Sequence, residues 1–235
     1  MAIAAYFSGQ YAQGTLDELS RNEVGLANGY AERPLLVQLT FYVHIVSAGL
    51  ALALGPWQFS RRVRARRRAL HRWIGRVYLA GVALGSLSGL IMSVFNTAGM
   101  VGFFGFGSLS VLWGWTAWQA YRTIRARDIP SHQAWVIRNF ALTYAAVTLR
   151  LWFGALTAVQ IPFMDSGDSV ESIMDNAYLP LGFLCWLPNL VVAEFMVRRR
   201  GLPALHLTTE PAPETPASTD STGLQATARG RGGPL

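Results

Sequence analysis

Two histidines carry most of the chemistry that this sequence offers. His71 and His132 close two copies of a fifteen-residue pattern whose starts lie 61 positions apart. The first copy reads Trp57-Gln58-Phe59-Ser60-Arg61-Arg62-Val63-Arg64-Ala65-Arg66 and ends at His71. The second reads Trp118-Gln119-Ala120-Tyr121-Arg122-Thr123-Ile124-Arg125-Ala126-Arg127 and ends at His132. Trp, Gln, three Arg, Ala and His match without a gap, and Val63 faces Ile124. Each copy lies between two long apolar runs, so the pattern reads as a duplicated two-helix membrane unit. In duplicated membrane proteins a site often lies where the repeats meet. Two imidazoles at one depth on separate helices can hold a metal ion, or a haem iron from its two sides. The nearby Arg76 and Arg138 suit haem propionates, because a guanidinium binds a carboxylate through two hydrogen bonds. The cofactor that this pattern admits is haem b or a single metal ion. The competing reading leaves both histidines at the water interface, bonded to backbone or headgroups, where an imidazole is cheap.

Glu194 adds a carboxylate at the same depth. His71, His132 and Glu194 would make a two-histidine, one-carboxylate metal set. Against that set stands an ion pair of Glu194 with Arg198, one helical turn on, or with Arg138. The sequence holds no nucleophile motif, phosphate loop or HExxH helix. Its single Cys185 lies in an apolar run, which excludes a disulfide framework and a Cys-based metal motif.

Polar residues at membrane depth are costly and face the bundle interior. His132, Asn139, Thr143 and Arg150, on one helix, fall within about 20° of one line. The same line on the helix that begins near His71 passes Tyr78, Gly85 and Gly89. Gly81, Gly85 and Gly89 form a repeated GxxxG, which admits a close neighbour. Arg138 lies off the polar line, near the cytoplasmic end, and could extend toward headgroups. Arg150 either joins the interior stripe or reaches toward Asp165. His44, near mid-membrane, reads as an interhelical hydrogen-bonding group. Asn189, next to Pro188, is expected to satisfy carbonyls that the proline frees.

These residues need helices to position them, and composition supplies the class. The chain is 51% hydrophobic and 14% charged, against roughly 25% charged in a soluble domain. Five segments are long enough to span a bilayer, which takes roughly 20 apolar residues. They run about Leu35–Gly55, Ile74–Thr97, Val101–Tyr121, Ala134–Gln160 and Tyr178–Val197. A span of this length must be helical, since every backbone amide has to be satisfied within it. The expected fold is an all-α polytopic bundle of five transmembrane helices containing two parallel two-helix repeats. Residues 1–34 read as an extracytoplasmic polar arm, 35–200 as the transmembrane domain and 201–235 as a disordered cytoplasmic tail.

Charge fixes the expected orientation. All basic residues are Arg, and the net charge of +7 gathers at membrane edges, which leaves no nucleic-acid surface. The arginines cluster from Arg61 to Arg72, from Arg122 to Arg127 and from Arg198 to Arg200. Asp17, Glu18, Glu23, Glu32, Asp165, Asp168, Glu171 and Asp175 lie on the other side. Positive-inside bias then puts the N-terminus outside and the C-terminus in the cytoplasm of a bacterial inner membrane. The lipid bilayer is the expected partner, and the Arg61–Arg68 cluster could attract anionic headgroups.

One family shares these residues. The sequence carries His44, then Gly55-Pro56-Trp57-Gln58-Phe59, His71-Arg72-Trp73-Ile74-Gly75-Arg76-Val77-Tyr78, His132-Gln133-Ala134-Trp135-Val136-Ile137-Arg138, Ala146-Val147-Thr148-Leu149-Arg150 and Trp186-Leu187-Pro188-Asn189-Leu190. Over Leu35 to Arg200 it resembles the bacterial family of predicted membrane proteins known as domain of unknown function 2306. The resemblance implies a helical membrane fold and no reaction. Members often carry a further apolar helix ahead of the His44 helix. Residues 1–34 are too polar to supply it, so the expectation is that it is absent or lies upstream. Two functional classes follow. One is a small haem or metal protein in electron transfer, with a redox partner. The other is a non-catalytic membrane protein, such as a transporter subunit, lipid binder or assembly factor. Homo-oligomerisation fits either.

Overall fold

The computed structural model describes Tyr30, residues 32–163 and residues 169–204. Most of the polar arm, Asp165, Asp168 and the tail beyond residue 204 lie outside the described residues. The elements are α1 (Leu35–Gln58), α2 (Arg61–Arg66), α3 (Arg68–Val94), α4 (Gly99–Arg125), α5 (Ile129–Thr143) and α6 (Ala145–Gln160). A 3-10 turn at Ile161–Phe163 follows, then α7 (Val170–Tyr178), α8 (Leu181–Leu184) and α9 (Leu187–Arg199). Among the described residues there is no strand. Five helical stretches are long and apolar enough to cross a membrane: α1, α3, α4, the α5–α6 run to Phe163, and α8–α9.

The spans agree with the apolar segments, and their ends differ for a physical reason. Hydropathy marks only the part of a helix that lipid can tolerate, whereas the hydrogen-bonded ladder continues into water. Thus α3 starts at Arg68, ahead of the apolar onset at Ile74. α4 likewise runs on to Arg125. α3 and α5 start at Arg68 and Ile129, the same offset that separates the two sequence copies. Two short helices lie outside the apolar pattern. α2 starts where the Ser60 hydroxyl accepts the Val63 amide at 3.4 Å. α7 starts where Ser169 caps Ser172 at 3.1 Å, and it buries Ile173 and Ala177 one turn apart.

Glycine sets how closely the helices approach. On α3, a Cβ at Gly81 would stand 3.1 Å from the Ser47 carbonyl of α1, and one at Gly85 2.7 Å from the Trp113 ring of α4. One at Gly89 would stand 2.8 Å from the Ser110 hydroxyl. The repeated GxxxG therefore receives both neighbours, as its spacing implies. In chain order α1, α3, α4 and α5 pack side by side, and α5 also touches α1. α9 lies against α5, α8 against α4 and α7 against α6. Tyr78, Val82, Trp113, Leu142, Cys185 and Trp186 meet in the main core. Leu36, Leu84, Leu87, Val191 and Phe195 are exposed, as lipid-facing positions should be.

The α8–α9 span is broken at Trp186, before Pro188. Proline lacks an amide proton and leaves carbonyls of the preceding turn without their helical donor. Asn189 repairs the break: its amide nitrogen donates to the Cys185 carbonyl at 3.0 Å and to the Thr148 hydroxyl at 2.9 Å. The Thr148 hydroxyl donates to the same carbonyl at 2.5 Å. This is the role that the sequence assigns to Asn189.

Candidate functional site

The interior of the bundle holds a closed polar network. Asn139 of α5 is fully buried and uses both ends of its amide. Its oxygen accepts from the Tyr78 hydroxyl of α3 at 2.6 Å. Its nitrogen donates to the Trp113 carbonyl and to the Thr116 hydroxyl of α4, each at 2.8 Å. Thr143, one turn on, accepts from the Trp113 indole at 2.8 Å and lies 3.0 Å from the Tyr78 hydroxyl. The polar line on α5 therefore faces the interior at Asn139 and Thr143, as the spacing predicts. Tyr78 and Asn139 are 61 positions apart, so the positions seven residues past the end of each sequence copy touch. The network's α4 partners, Trp113 and Thr116, were not singled out by the sequence. Their signal is the buried face Ser110, Trp113, Ala117 and Ala120 at helical spacing.

His71 and His132 lie two turns before Tyr78 and Asn139 on the same two helices, toward the Arg-rich end. His132 places its Nδ1 2.8 Å from the Ala120 carbonyl at the end of α4. A carbonyl can only accept, so Nδ1 carries the proton and Nε2 keeps its lone pair. His71 is half-buried, and its Nδ1 has no hydrogen-bond partner among the described residues. The two imidazoles, and Arg64 with them, lie within electrostatic range of each other. The structure thus brings His71 and His132 to one end of the bundle, on α3 and α5, which meet through the Tyr78 side chain. The loop between α4 and α5 is closed by Arg127 at φ 62° and by Asp128. Asp128 accepts from the Ser131 amide at 3.1 Å, and the Ser131 hydroxyl and amide hold its carboxyl below the usual carboxylate range.

Glu194 takes the ion-pair reading, with both Arg138 and Arg198, and Arg138 departs from the extension toward headgroups. Arg138 does not extend to headgroups: it is 2% exposed, and its guanidinium lies 2.7 Å from the Glu194 carboxylate. It also donates to the Pro203 carbonyl at 3.2 Å and stands 4.8 Å from the Trp135 ring centre. Burial inside the bundle makes a paired charge cheaper than a lone one, which draws the two side chains together. Glu194 is also 3.6 Å from Arg198 on its own helix. The carboxylate is committed to arginine, and among the described residues no three His, Cys, Asp or Glu side chains gather as a metal site. The set His71, His132 and Glu194 is corrected on that ground. Arg76 remains exposed, 5.8 Å from the Trp73 ring centre.

His44 and Arg150 are also placed. His44 of α1 sits 2.9 Å by its Nδ1 from the Gly85 carbonyl of α3 and 3.3 Å from the Ser88 hydroxyl, the interhelical bond expected of it. Arg150 is half-buried and donates to the Ala146 carbonyl one turn back.

Five apolar helices, a polar core sealed inside them and arginines at one end define a multi-pass helical membrane protein. The chain belongs to the family described as Predicted membrane protein (DUF2306), whose model matches residues 41–197. No curated protein and no solved structure matches it.

The buried ion pair yields a direct test. Glu194→Leu leaves the Arg138 charge buried without a partner and should destabilise the fold by about 3–5 kcal/mol. Arg198→Gln, which removes an exposed partner, should cost no more than about 1 kcal/mol. Thermal unfolding in detergent measures both. The double change Arg138→Met with Glu194→Leu should recover much of the loss.

Proposed function

We propose that His71 and His132 together bind a metal-bearing cofactor, a haem or a single metal ion, and that the protein serves electron transfer in its membrane. The observation that carries this reading is the state of the His132 ring. A backbone carbonyl holds Nδ1–H, which fixes the tautomer and aims a free Nε2 lone pair away, the arrangement that metal-ligating histidines use. His71 lies within electrostatic range of it. The two ligands come from equivalent places in the two sequence copies. Arg76, exposed on α3 over the Trp73 ring, would have to turn toward the pair to receive an anionic group of the cofactor.

A second reading is a non-catalytic membrane protein, and one observation favours it. Glu194 is held by Arg138, so no third protein ligand stands beside the two imidazoles among the described residues. Protein purified from its native membrane separates the two. The cofactor reading predicts stoichiometric metal, with a sharp Soret band that shifts on reduction if haem is present. His71→Ala and His132→Ala should each remove the metal, because one imidazole holds it weakly. Wild-type protein carrying neither haem nor metal would overturn the cofactor reading and leave the non-catalytic one the better of the two.

The Arg-rich end faces the cytoplasm in this proposal. With Cys185→Ser as background, Glu171→Cys should react with a membrane-impermeant thiol reagent on intact cells. Ala65→Cys should react only after the cells are opened. Reaction of Ala65→Cys in intact cells would reverse the orientation.

A further inference from the structure

We propose that the elbow between α1 and α3 is a binding site for the phosphate of an anionic phospholipid. α1 ends at Gln58, Ser60 starts the six-residue α2, and Arg67, at φ −133° and ψ 64°, breaks it before α3. All seven arginines from Arg61 to Arg72 are exposed. Among the described residues none of the seven is in an ion pair. Like charges one turn apart, such as Arg62 and Arg66, repel. So dense a cationic turn attracts anions, and phosphates of the membrane surface are the nearest supply.

Charge alone describes an electrostatic surface; a second observation describes a site. Two buried nitrogens beside the elbow, Gln58 Nε2 and His71 Nδ1, have no hydrogen-bond partner among the described residues. A buried polar group without a partner is costly. The Gln58 amide rests on Gly75, where a Cβ would meet its oxygen at 3.4 Å and its nitrogen at 3.7 Å, and Gly75 is one turn from His71 on the same face of α3. Arg64 reaches the same neighbourhood. The amide, the imidazole and the guanidinium all offer N–H groups. The group they would receive is therefore an anion with several acceptor oxygens. Trp57 and Trp73 flank the elbow and are 55% and 63% exposed. Indole rings of this kind settle at the headgroup level of a bilayer. They give the acyl chains of a lipid a surface, which a free phosphate would not use. The site does not depend on the cofactor reading, since it uses Nδ1 of His71 and a metal would use Nε2.

Native mass spectrometry of the purified full chain, titrated with phosphatidylglycerol or with phosphatidylcholine, tests the proposal. Phosphatidylglycerol should be retained with about tenfold preference, the size of effect that one or two arginines at a membrane surface supply. The preference should fall several-fold in Arg64→Gln with Arg67→Gln. It should also fall in Gln58→Leu, which changes no charge. Arg125→Gln with Arg127→Gln, the same charge change in the other loop, should keep it. The melting temperature of each variant, taken without added lipid, identifies one that has unfolded. In that event Gln58→Glu, which places a like charge in the site, replaces it and should abolish the preference. Equal retention of the two lipids would overturn the proposal. So would a preference that Gln58→Leu leaves intact, which would mean diffuse charge only. If inorganic phosphate at millimolar concentration stabilised the protein as phosphatidylglycerol does, the ligand would be a soluble anion and the lipid assignment would fail.

Discussion

A bilayer offers no water to a buried polar group, and the architecture follows from how this chain meets that constraint. Asn139 brings two donors and an acceptor into the interior and finds a partner for each on α3 and α4. Helices in lipid gain little from apolar contact, since the tails are as apolar as the side chains. What selects one packing is the match of small residues to large and of donors to acceptors. Gly85 makes room for the Trp113 ring. That places the indole nitrogen on Thr143, and Thr143 in turn lies beside the Tyr78 hydroxyl. Moving any of these helices by an ångström would leave several buried groups unpaired at once.

The same network bears on the site. Tyr78 and Asn139 lie two turns from His71 and His132 on the same helices. The hydrogen bond between the first pair therefore constrains the second. At the Arg-rich end the polar groups are less completely paired. His132 is held by one backbone carbonyl, and His71 Nδ1 and Gln58 Nε2 have no partner among the described residues. Asn96 Oδ1 and Thr157 Oγ1, toward the other end, are also without a partner among the described residues, so the unpaired nitrogens support the proposed sites through their chemistry and do not by themselves single out one end.

Much of this was legible in the sequence, and the rest was hidden for physical reasons. Length and apolarity give the five spans because a bilayer sets both. The 7- and 4-residue spacing that leads from His132 to Thr143 gives the inward face of α5, and the GxxxG run gives the face of α3. The repeat brings His71 and His132 to attention as a pair. The partner of Arg138 was narrowed to one of two readings of Glu194, because an ion pair between residues 56 positions apart depends on how α9 settles against α5. Hydropathy suggested an arginine extended to headgroups and could not foresee that α9 would cover it. α2 and α7 were missed because each is too short and too polar for a periodic apolar signal. Only their serine caps announce them.

The central claim is that two imidazoles, one from each sequence copy, meet on a single metal. Pulsed electron paramagnetic resonance on the protein, with its native paramagnetic metal or loaded with Cu²⁺, counts coordinated imidazoles through their remote nitrogens. The account predicts two equivalent imidazoles in the wild-type protein and one in either single His→Ala variant. A spectrum with no imidazole, or one that His71→Ala and His132→Ala both leave unchanged, would contradict it.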